Sequence, residues 1–300
     1  MLISVAVCTY NGEKFIREQL DSICNQTYSE LEIIICDDVS TDDTRNILEE
    51  YSKDPRVRMD FNSTNLGAYA NFEKAIRLCR GDWIAVSDQD DIWLPHKIET
   101  LYRNIGNEPL IYADSILVNE QGAPIGKNIS DLRNLYSNPD PRGFIFSNAV
   151  WGHALFFQQS LKEKIFPLPE GVAHDVWIAF VAACVGGIKY VDEALVLYRQ
   201  HEQTFTSTLP SKEFARAQGS PKLKDYKKTL QLLRAMKDFP FTKDQEFYST
   251  FCQLYDQRAK GGFSLGLFNF LLKHRRILFQ FSKKSTLSQL IEIRKQARGI

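Results

Sequence analysis

The sequence predicts an α/β domain with a mostly parallel central sheet over residues 1–207, followed by a basic helical C-terminal module over residues 208–300. Two observations carry this. Through the first ninety residues, short apolar runs alternate with helix-length polar stretches, the layout of βαβ units whose parallel sheet is covered on both faces. From about residue 210 the composition turns helical and basic. Residues 211–300 hold 19 Lys+Arg and 7 Asp+Glu against 18 and 30 in residues 1–210, so a body near −12 meets a tail near +12 although the formal net charge is zero. With 44% hydrophobic and 25% charged residues, the 300-residue chain has the composition of an ordinary folded protein.

Taken in order, Leu2–Cys8 is the first apolar run, followed by Asn11-Gly12 and a helix over about Glu13–Gln26. Leu31–Cys36 is the second, followed by Asp37-Asp38 and a helix near Asp42–Ser52. Arg56–Phe61 is the third, then Asn65-Leu66-Gly67 and a helix to Cys79. Trp83–Val86 is the fourth, closed by Ser87-Asp88-Gln89-Asp90-Asp91. Beyond residue 105 the pattern shortens: strands at Leu110–Tyr112 and Ile116–Asn119, a hairpin turn at Glu120-Gln121-Gly122, a buried helix at Val176–Val185, and late strands at Ile188–Val191 and Ala194–Tyr198.

The six cysteines form no CxxC pair and no metal-ligand spacing, so they are expected to be reduced, as in a cytosolic compartment. Met1 to Cys8 reads as a strand without a basic leader, and the longest apolar run, Val176–Ile188, is too short to span a bilayer. A soluble or peripheral protein at the inner face of the cell membrane is the expectation.

In open α/β sheets ligands bind outside the carboxyl ends of the strands. Thr9-Tyr10-Asn11, Asp37-Asp38 and Asp88-Gln89-Asp90 each follow a strand, so all three loops are expected on one edge. Two of them are acidic, and acidic loops hold phosphates only with a divalent cation between. Carboxylates two positions apart at a strand end can face the same way, and their hard oxygens suit Mg²⁺ or Mn²⁺. No GxxxxGK[ST], GxGxxG or HExxH is present, and the basic tail holds no nucleic-acid module.

Val5-Ala6-Val7-Cys8-Thr9-Tyr10-Asn11-Gly12, Asp37-Asp38-Val39-Ser40-Thr41-Asp42-Asp43-Thr44, Asn65-Leu66-Gly67 and Ser87-Asp88-Gln89-Asp90-Asp91-Ile92-Trp93 occur in that order. Together they resemble the family 2 glycosyltransferases with the GT-A (nucleotide-diphospho-sugar transferase) fold, particularly bacterial members resembling rhamnosyltransferases. The resemblance covers roughly residues 1–205 and implies a dTDP- or UDP-linked sugar donor and a glycan or lipid-linked acceptor. It implies that Thr9, Tyr10, Asn11, Asn65 and Gly67 line the nucleotide pocket, that Asp38 or Asp37 holds the base, and that Asp88 contacts the ribose or the metal. Asp90 becomes the main metal ligand, and Asp175, in His174-Asp175-Val176-Trp177, the base that accepts the acceptor's proton. Asp175 reads equally as an N-cap of the helix it opens. His201 is similar to a histidine that returns to the metal or diphosphate, with a surface role as its alternative. Trp151 either stacks on an acceptor sugar or belongs to the core. One departure stands out: Val39 occupies a position where the family usually has Gly, and a β-branched residue there is strained if φ is positive.

A helical wheel over Gly262–Ser282 gives two apolar faces: Leu267, Phe270, Leu271, Ile277, Leu278 and Phe281 on one, Leu265, Phe268, Leu272 and Phe279 on the other. A peripheral membrane contact through 262–282, burial in the tail's own bundle, and a homo-oligomer contact all remain open. Two other functions compete. A sugar nucleotidyltransferase needs a Gly-rich basic loop after the first strand, where Cys8-Thr9-Tyr10-Asn11-Gly12 has a single Gly. A non-catalytic sugar-nucleotide-binding protein is made conceivable by Val39.

Overall fold

Alternation along the first strand decides the architecture. In the computed structural model, which describes residues 1–201 and 221–299, β1 (Ile3–Thr9) sends Val5 and Val7 into one hydrophobic cluster and Ala6 and Cys8 into another on the opposite face. Both faces must therefore be covered. β2 (Leu31–Asp37), β3 (Val57–Phe61), β4 (Trp83–Ser87), β5 (Ile92–Trp93), β6 (Leu110–Val118), β7 (Pro124–Asn128), β8 (Leu155–Gln158) and β9 (Ile188–Arg199) complete the sheet. Its order is β3-β2-β1-β4-β8-β6-β9-β5, with β7 paired to β6. The first four strands run parallel, as do β6 and β9, while β8 lies antiparallel between β4 and β6. Thr9 pairs with Asp37 and Val7 with Ser87, so the loops after β1, β2 and β4 open on one edge.

Two pairs of short strands expected from the sequence are each one strand. β6 and β9 pair in parallel along their length, but Ala113↔Val191 is followed by Asp114↔Ala194, so Asp192-Glu193 is bulged out. The polar interruption is a local extrusion rather than a break. The two-residue β5, the exposed β7 and the four-residue β8 are too short to declare a period in the sequence. The turn at Gly122 is as expected, with φ 76° and its N–H donating to Asn119 O at 3.0 Å.

The C-terminal region is helical, with helices Pro221–Asp238, Gln245–Asp256, Leu265–Lys273, Arg275–Leu278 and Thr286–Gln296. The expected 207/208 boundary lies outside the described residues. These helices share the core of the body: Leu233, Phe251, Leu267 and Phe281 are fully buried in the same cluster as Phe157 and Phe180. Polar bonds tie the two parts as well. Tyr136 Oη donates to Gln280 Oε1 at 2.6 Å, and Gln280 Nε2 donates to Asp140 O at 2.7 Å. The single helix drawn over Gly262–Ser282 instead breaks at His274. Leu267, Leu271, Leu278 and Phe281 of its first face are buried, and so is Phe279 of its second, which leaves Leu265 and Leu272 exposed.

The helix His174–Val185 is apolar all round and lies between the sheet and the C-terminal helices. Trp177 and Phe180 meet Phe239 at ring-centroid distances of 5.6 and 5.7 Å, and Phe180 meets Tyr248 at 6.2 Å. All six cysteines are free thiols. Burial pushes Cys8 well up from its ordinary range and Cys36 up to about 12, the behaviour of small core side chains.

Candidate active site

Where β1, β2 and β4 end, their loops and the start of the helix His174–Val185 enclose a cavity of about 470 Å³. Of the residues singled out from the sequence, Thr9, Tyr10, Asp38, Asn65, Gly67, Asp88, Asp90, Trp151 and Asp175 line it. Asn11, Asp37 and His201 are not among its lining residues.

The two acids of the β2 loop separate cleanly. Asp37 is fully buried and accepts from Thr9 Oγ1 at 2.9 Å, Ser40 N–H at 3.0 Å, Arg45 Nε at 2.8 Å and the Ser40 hydroxyl. Burial works against its ionisation, but the hydrogen bonds from Ser40, Arg45 and Thr9 prevail and hold its carboxyl below the usual range. Asp37 thus anchors the loop from inside. Asp38 faces the cavity and accepts from Leu66 N–H at 2.7 Å, Gly67 N–H at 2.8 Å and Asn62 Nδ2 at 2.8 Å, fixing the Asn65-Leu66-Gly67 turn that opens the helix Ala68–Leu78. Asn11 joins the first two loops, its Oδ1 accepting Thr41 N–H at 2.8 Å. Gln89 clamps the first loop to the acidic one, accepting Tyr10 N–H at 2.8 Å and donating to Tyr10 O at 3.1 Å. A Cβ at Gly12 would lie 2.5 Å from that Gln89 amide oxygen, so any other residue there displaces the Gln89 side chain from its clamp.

Val39, at the position where the resemblance expects glycine, has φ 65°. The left-handed region costs a residue with a Cβ about 1–2 kcal/mol, and β-branching worsens it. Val39→Gly is therefore expected to raise stability by about 1 kcal/mol. A lower urea midpoint for the variant would show that the side chain's contacts outweigh the backbone strain.

Acidic groups crowd the end of β4. Burial, then Asp90 and Asp175, push the Asp88 carboxyl up to about 8. Asp90 Oδ2 lies 2.9 Å from His201 Nε2, and its main-chain oxygen accepts from Arg199 Nε at 2.7 Å. Arg199, nearly fully buried, also reaches Glu18 Oε2 at 2.5 Å and donates its backbone N–H to Asp91 Oδ1 at 3.0 Å, so the end of β9 holds the acidic loop in place. Asp91 is fully buried, and its Oδ2 has no hydrogen-bond partner and sits 3.7 Å from His153 Nδ1. Asp88, Asp91 and His153 present ligand atoms within 4.8 Å of one another. Below them the buried Lys97 donates to His153 O at 2.7 Å, its Nζ 3.2 Å over the Trp93 ring.

These residues fit a divalent cation. They offer hard oxygens, two neighbouring imidazoles, a carboxylate oxygen without a partner, and a mutual repulsion that a cation relieves. Asp88 and Asp90 are the carboxylates of this group that line the cavity, His153 is buried but also lines it, and Asp91 is fully buried near Lys97. The cavity-facing pair is the better placed to share an ion with a ligand. The buried set of Asp91, Lys97 and Arg199 was not visible as a unit in the sequence; the only local signal was the third acid of the Asp88–Asp91 run.

Across the cavity, Asp175 lies one residue inside its helix, whose N-cap position is Ala173, so it is not the N-cap. Its Oδ1 accepts Val176 N–H at 2.8 Å and its Oδ2 accepts Asn148 Nδ2 at 2.9 Å. Burial raises its pKa to about 6 against the hydrogen bonds from Val176 and Asn148. A carboxyl tuned towards neutrality in a cleft suits proton transfer. Trp151 lines the cavity with its ring 6.1 Å from Tyr198, and its buried Nε1 has no partner.

Comparison with known proteins places this geometry. An uncharacterized glycosyltransferase of Haemophilus influenzae is 32% identical over 213 residues, covering 67% of this chain and 66% of the relative, so the chain spans just under two thirds of that protein's length. The crystal structure of S. aureus TarS 1–349 in complex with UDP-GlcNAc superposes with a TM-score of 0.62 at 18% identity, covering 98% of this chain and 90% of that one. The mannosyltransferase PcManGT from Pyrobaculum calidifontis, in complex with GDP-Man and Mn²⁺, gives 0.56 at 17% identity, covering 98% and 85%. At such identities the structures speak for the fold alone, which is the α/β class with a helical C-terminal region expected from the sequence. The family described as Glycosyl transferase family 2 matches residues 4–165, more than half of the sequence, and the chain belongs to that family.

Proposed function

We propose that the chain transfers a sugar from a nucleotide-diphosphate donor to a hydroxyl of a glycan or lipid-linked acceptor, inverting the anomeric centre. The observation that carries this is Asp175, a carboxyl near pKa 6 lining the same cavity as Asp88 and Asp90 and close enough to raise Asp88's pKa. The acceptor oxygen attacks the anomeric carbon, the bond to the diphosphate oxygen breaks with its electron pair, and the acceptor's proton passes to Asp175. Thr9, Tyr10, Asn65 and Gly67 surround the nucleotide with Asp38, and Asn11 and Asp37 hold their loops in place. Asp88 and Asp90, with His201 against Asp90, would hold Mn²⁺ or Mg²⁺, which would supply positive charge where the diphosphate gathers negative charge. Trp151 and Tyr198 offer an aromatic surface to the acceptor. The resemblance favours dTDP-rhamnose or a UDP-sugar; TarS is described with UDP-GlcNAc and PcManGT with GDP-Man. Release of nucleotide diphosphate from a panel of these donors, with Mn²⁺ and with EDTA, tests the reading. Metal-independent release, or a product that retains anomeric configuration, overturns it.

The C-terminal helices are the part that meets an anionic bilayer. Residues 257–300 hold ten Lys+Arg and one Glu. Phe263, Leu265, Leu272, Leu287 and Ile291 are 42–68% exposed there, and no helix among the described residues is long and apolar enough to cross a membrane. Exposed apolar residues beside basic ones suit an interfacial contact. The full chain is expected to float with phosphatidylglycerol vesicles at low salt and to lose at least about tenfold in binding on Leu265→Glu with Leu287→Glu. Equal binding to neutral vesicles, or no effect of the double variant, removes this surface from the account.

A further inference from the structure

Asn148 is not among the residues lining the cavity, yet it touches the proposed proton acceptor. Its side-chain amide is fully committed. Oδ1 accepts Val150 N–H at 2.9 Å, while Nδ2 donates to Val150 O at 2.8 Å and to Asp175 Oδ2 at 2.9 Å. The N–H of Val150 decides which way round the amide lies. Flipped, it would set a donor against that N–H and an oxygen against a carbonyl and a carboxylate. One N–H is thus held on Asp175 and cannot turn away without surrendering the bonds to Val150. The backbone beside it is held too, since Ala149 and Val150 are buried in the main hydrophobic cluster.

A loop turn alone is satisfied by the two bonds to Val150. The third bond reaches across 27 residues of sequence to a carboxylate in the cavity wall. Asp175 Oδ1 accepts Val176 N–H at 2.8 Å, so a donor sits on each oxygen and the plane of the carboxylate is fixed. A donor on a carboxylate favours its ionised form, so Asn148 opposes the burial that raises Asp175 to about 6. The other groups facing Asp175 are the main-chain N–H groups of Val176, Gly152 and Asp175 itself, the Asp88 carboxyl and the Tyr69 phenol. None of these is a cation, so holding the carboxylate falls to neutral donors. Trp151, which follows Val150, lines the cavity, so one short loop carries both Asn148 and the aromatic surface offered to the acceptor.

We infer that Asn148 is a positioning residue of the transfer reaction, its Nδ2–H holding the Asp175 carboxylate in the orientation that takes the acceptor's proton. This rests on the transferase reading above and adds to it the residue that orients the base. Two variants of the full chain separate this role from that of a loop turn. Asn148→Ala removes all three bonds, whereas Asn148→Asp keeps an acceptor for Val150 N–H and loses the donor to Asp175. With aspartate carboxyls labelled with ¹³C, the Asp175 resonance is identified by its absence in Asp175→Asn and followed against pH. Its midpoint is expected at about 6 in the wild type. In Asn148→Ala the midpoint is expected to rise by about one pH unit, the worth of one hydrogen bond to an ionised acceptor. In Asn148→Asp it rises at least as far, because a second carboxyl adds repulsion. With the donor that the wild type turns over, the acidic limb of kcat moves up with the midpoint in both variants, lowering kcat about tenfold near pH 5. Affinity for UDP or dTDP with Mn²⁺ stays unchanged. If the midpoint stays in place in Asn148→Asp, or if Asn148→Ala loses kcat with a lower melting temperature and an unmoved limb, Asn148 is a loop residue. The inference then fails while the transferase reading stands. A wild type that turns over no donor removes both, whatever the ¹³C midpoints show.

Discussion

Asp175→Asn is expected to lower turnover by about 10²–10⁴-fold, the usual contribution of a positioned proton acceptor. The substitution keeps the shape, and its single amide oxygen can accept from either Asn148 or Val176, but an amide cannot take a proton. Donor affinity is expected to change little, because the substitution preserves the size of the side chain, so the loss falls on kcat. In the wild type, kcat rises with pH through about 6 as the carboxyl ionises, and this limb disappears in the variant. The groups facing Asp175 are Asp88 across the cavity, Tyr69 from the helix Ala68–Leu78, and the uncharged Asn148. Stability moves the other way. A carboxyl whose folded pKa is raised above its unfolded value stabilises the fold below the unfolded value, and that contribution is lost as pH rises through about 6. The Asn variant is thus expected to be more stable than the wild type at pH 8, with the margin shrinking towards pH 4. Near-normal turnover, or an acidic limb unchanged in the variant, removes Asp175 from its role as base.

Asp90→Ala is expected to abolish detectable transfer, by about 10³-fold or more, and to do so through the donor's diphosphate. Asp90 faces the cavity and is tied to the scaffold at two points: His201 meets its carboxylate, and Arg199 holds its main-chain oxygen. The wild type is expected to bind UDP or dTDP more tightly with Mn²⁺ than with EDTA, and the variant to bind them equally weakly in both. The unliganded variant should still fold, since the buried anchors of this loop are Asp91 and Arg199. Mn²⁺-dependent nucleotide binding that survives in Asp90→Ala contradicts the assignment and moves the ligand role towards Asp88 with Asp91 and His153.

The first four strands and their loops were legible because buried parallel strands leave unbroken apolar runs, and the loops after them must share an edge. Asp88 and Asp90 were legible for the same reason, as acids at a strand end. The positive φ of Val39 was legible as a conflict between residue type and motif. Asp175 was reached only through resemblance, since a lone acid at a helix start equally reads as a cap. The pairing of Asp175 with Asn148 and the burial of Lys97 under the acidic loop come from segments 27 and 56 residues apart. Local patterns carry no record of either. Tail residues were misassigned for a related reason: a helical wheel assumes an unbroken axis, and the bend at His274 redistributes its faces.

The helix that begins with His174 and Asp175 has its rear wall built by residues from the far end of the chain, Phe239 and Tyr248 among them. The C-terminal helices are therefore not a cassette to be trimmed or traded between relatives. A chimera that joins a foreign tail to this body inherits a mismatched backing behind its proton acceptor, and its crossover must carry both sides of that seam from the same parent.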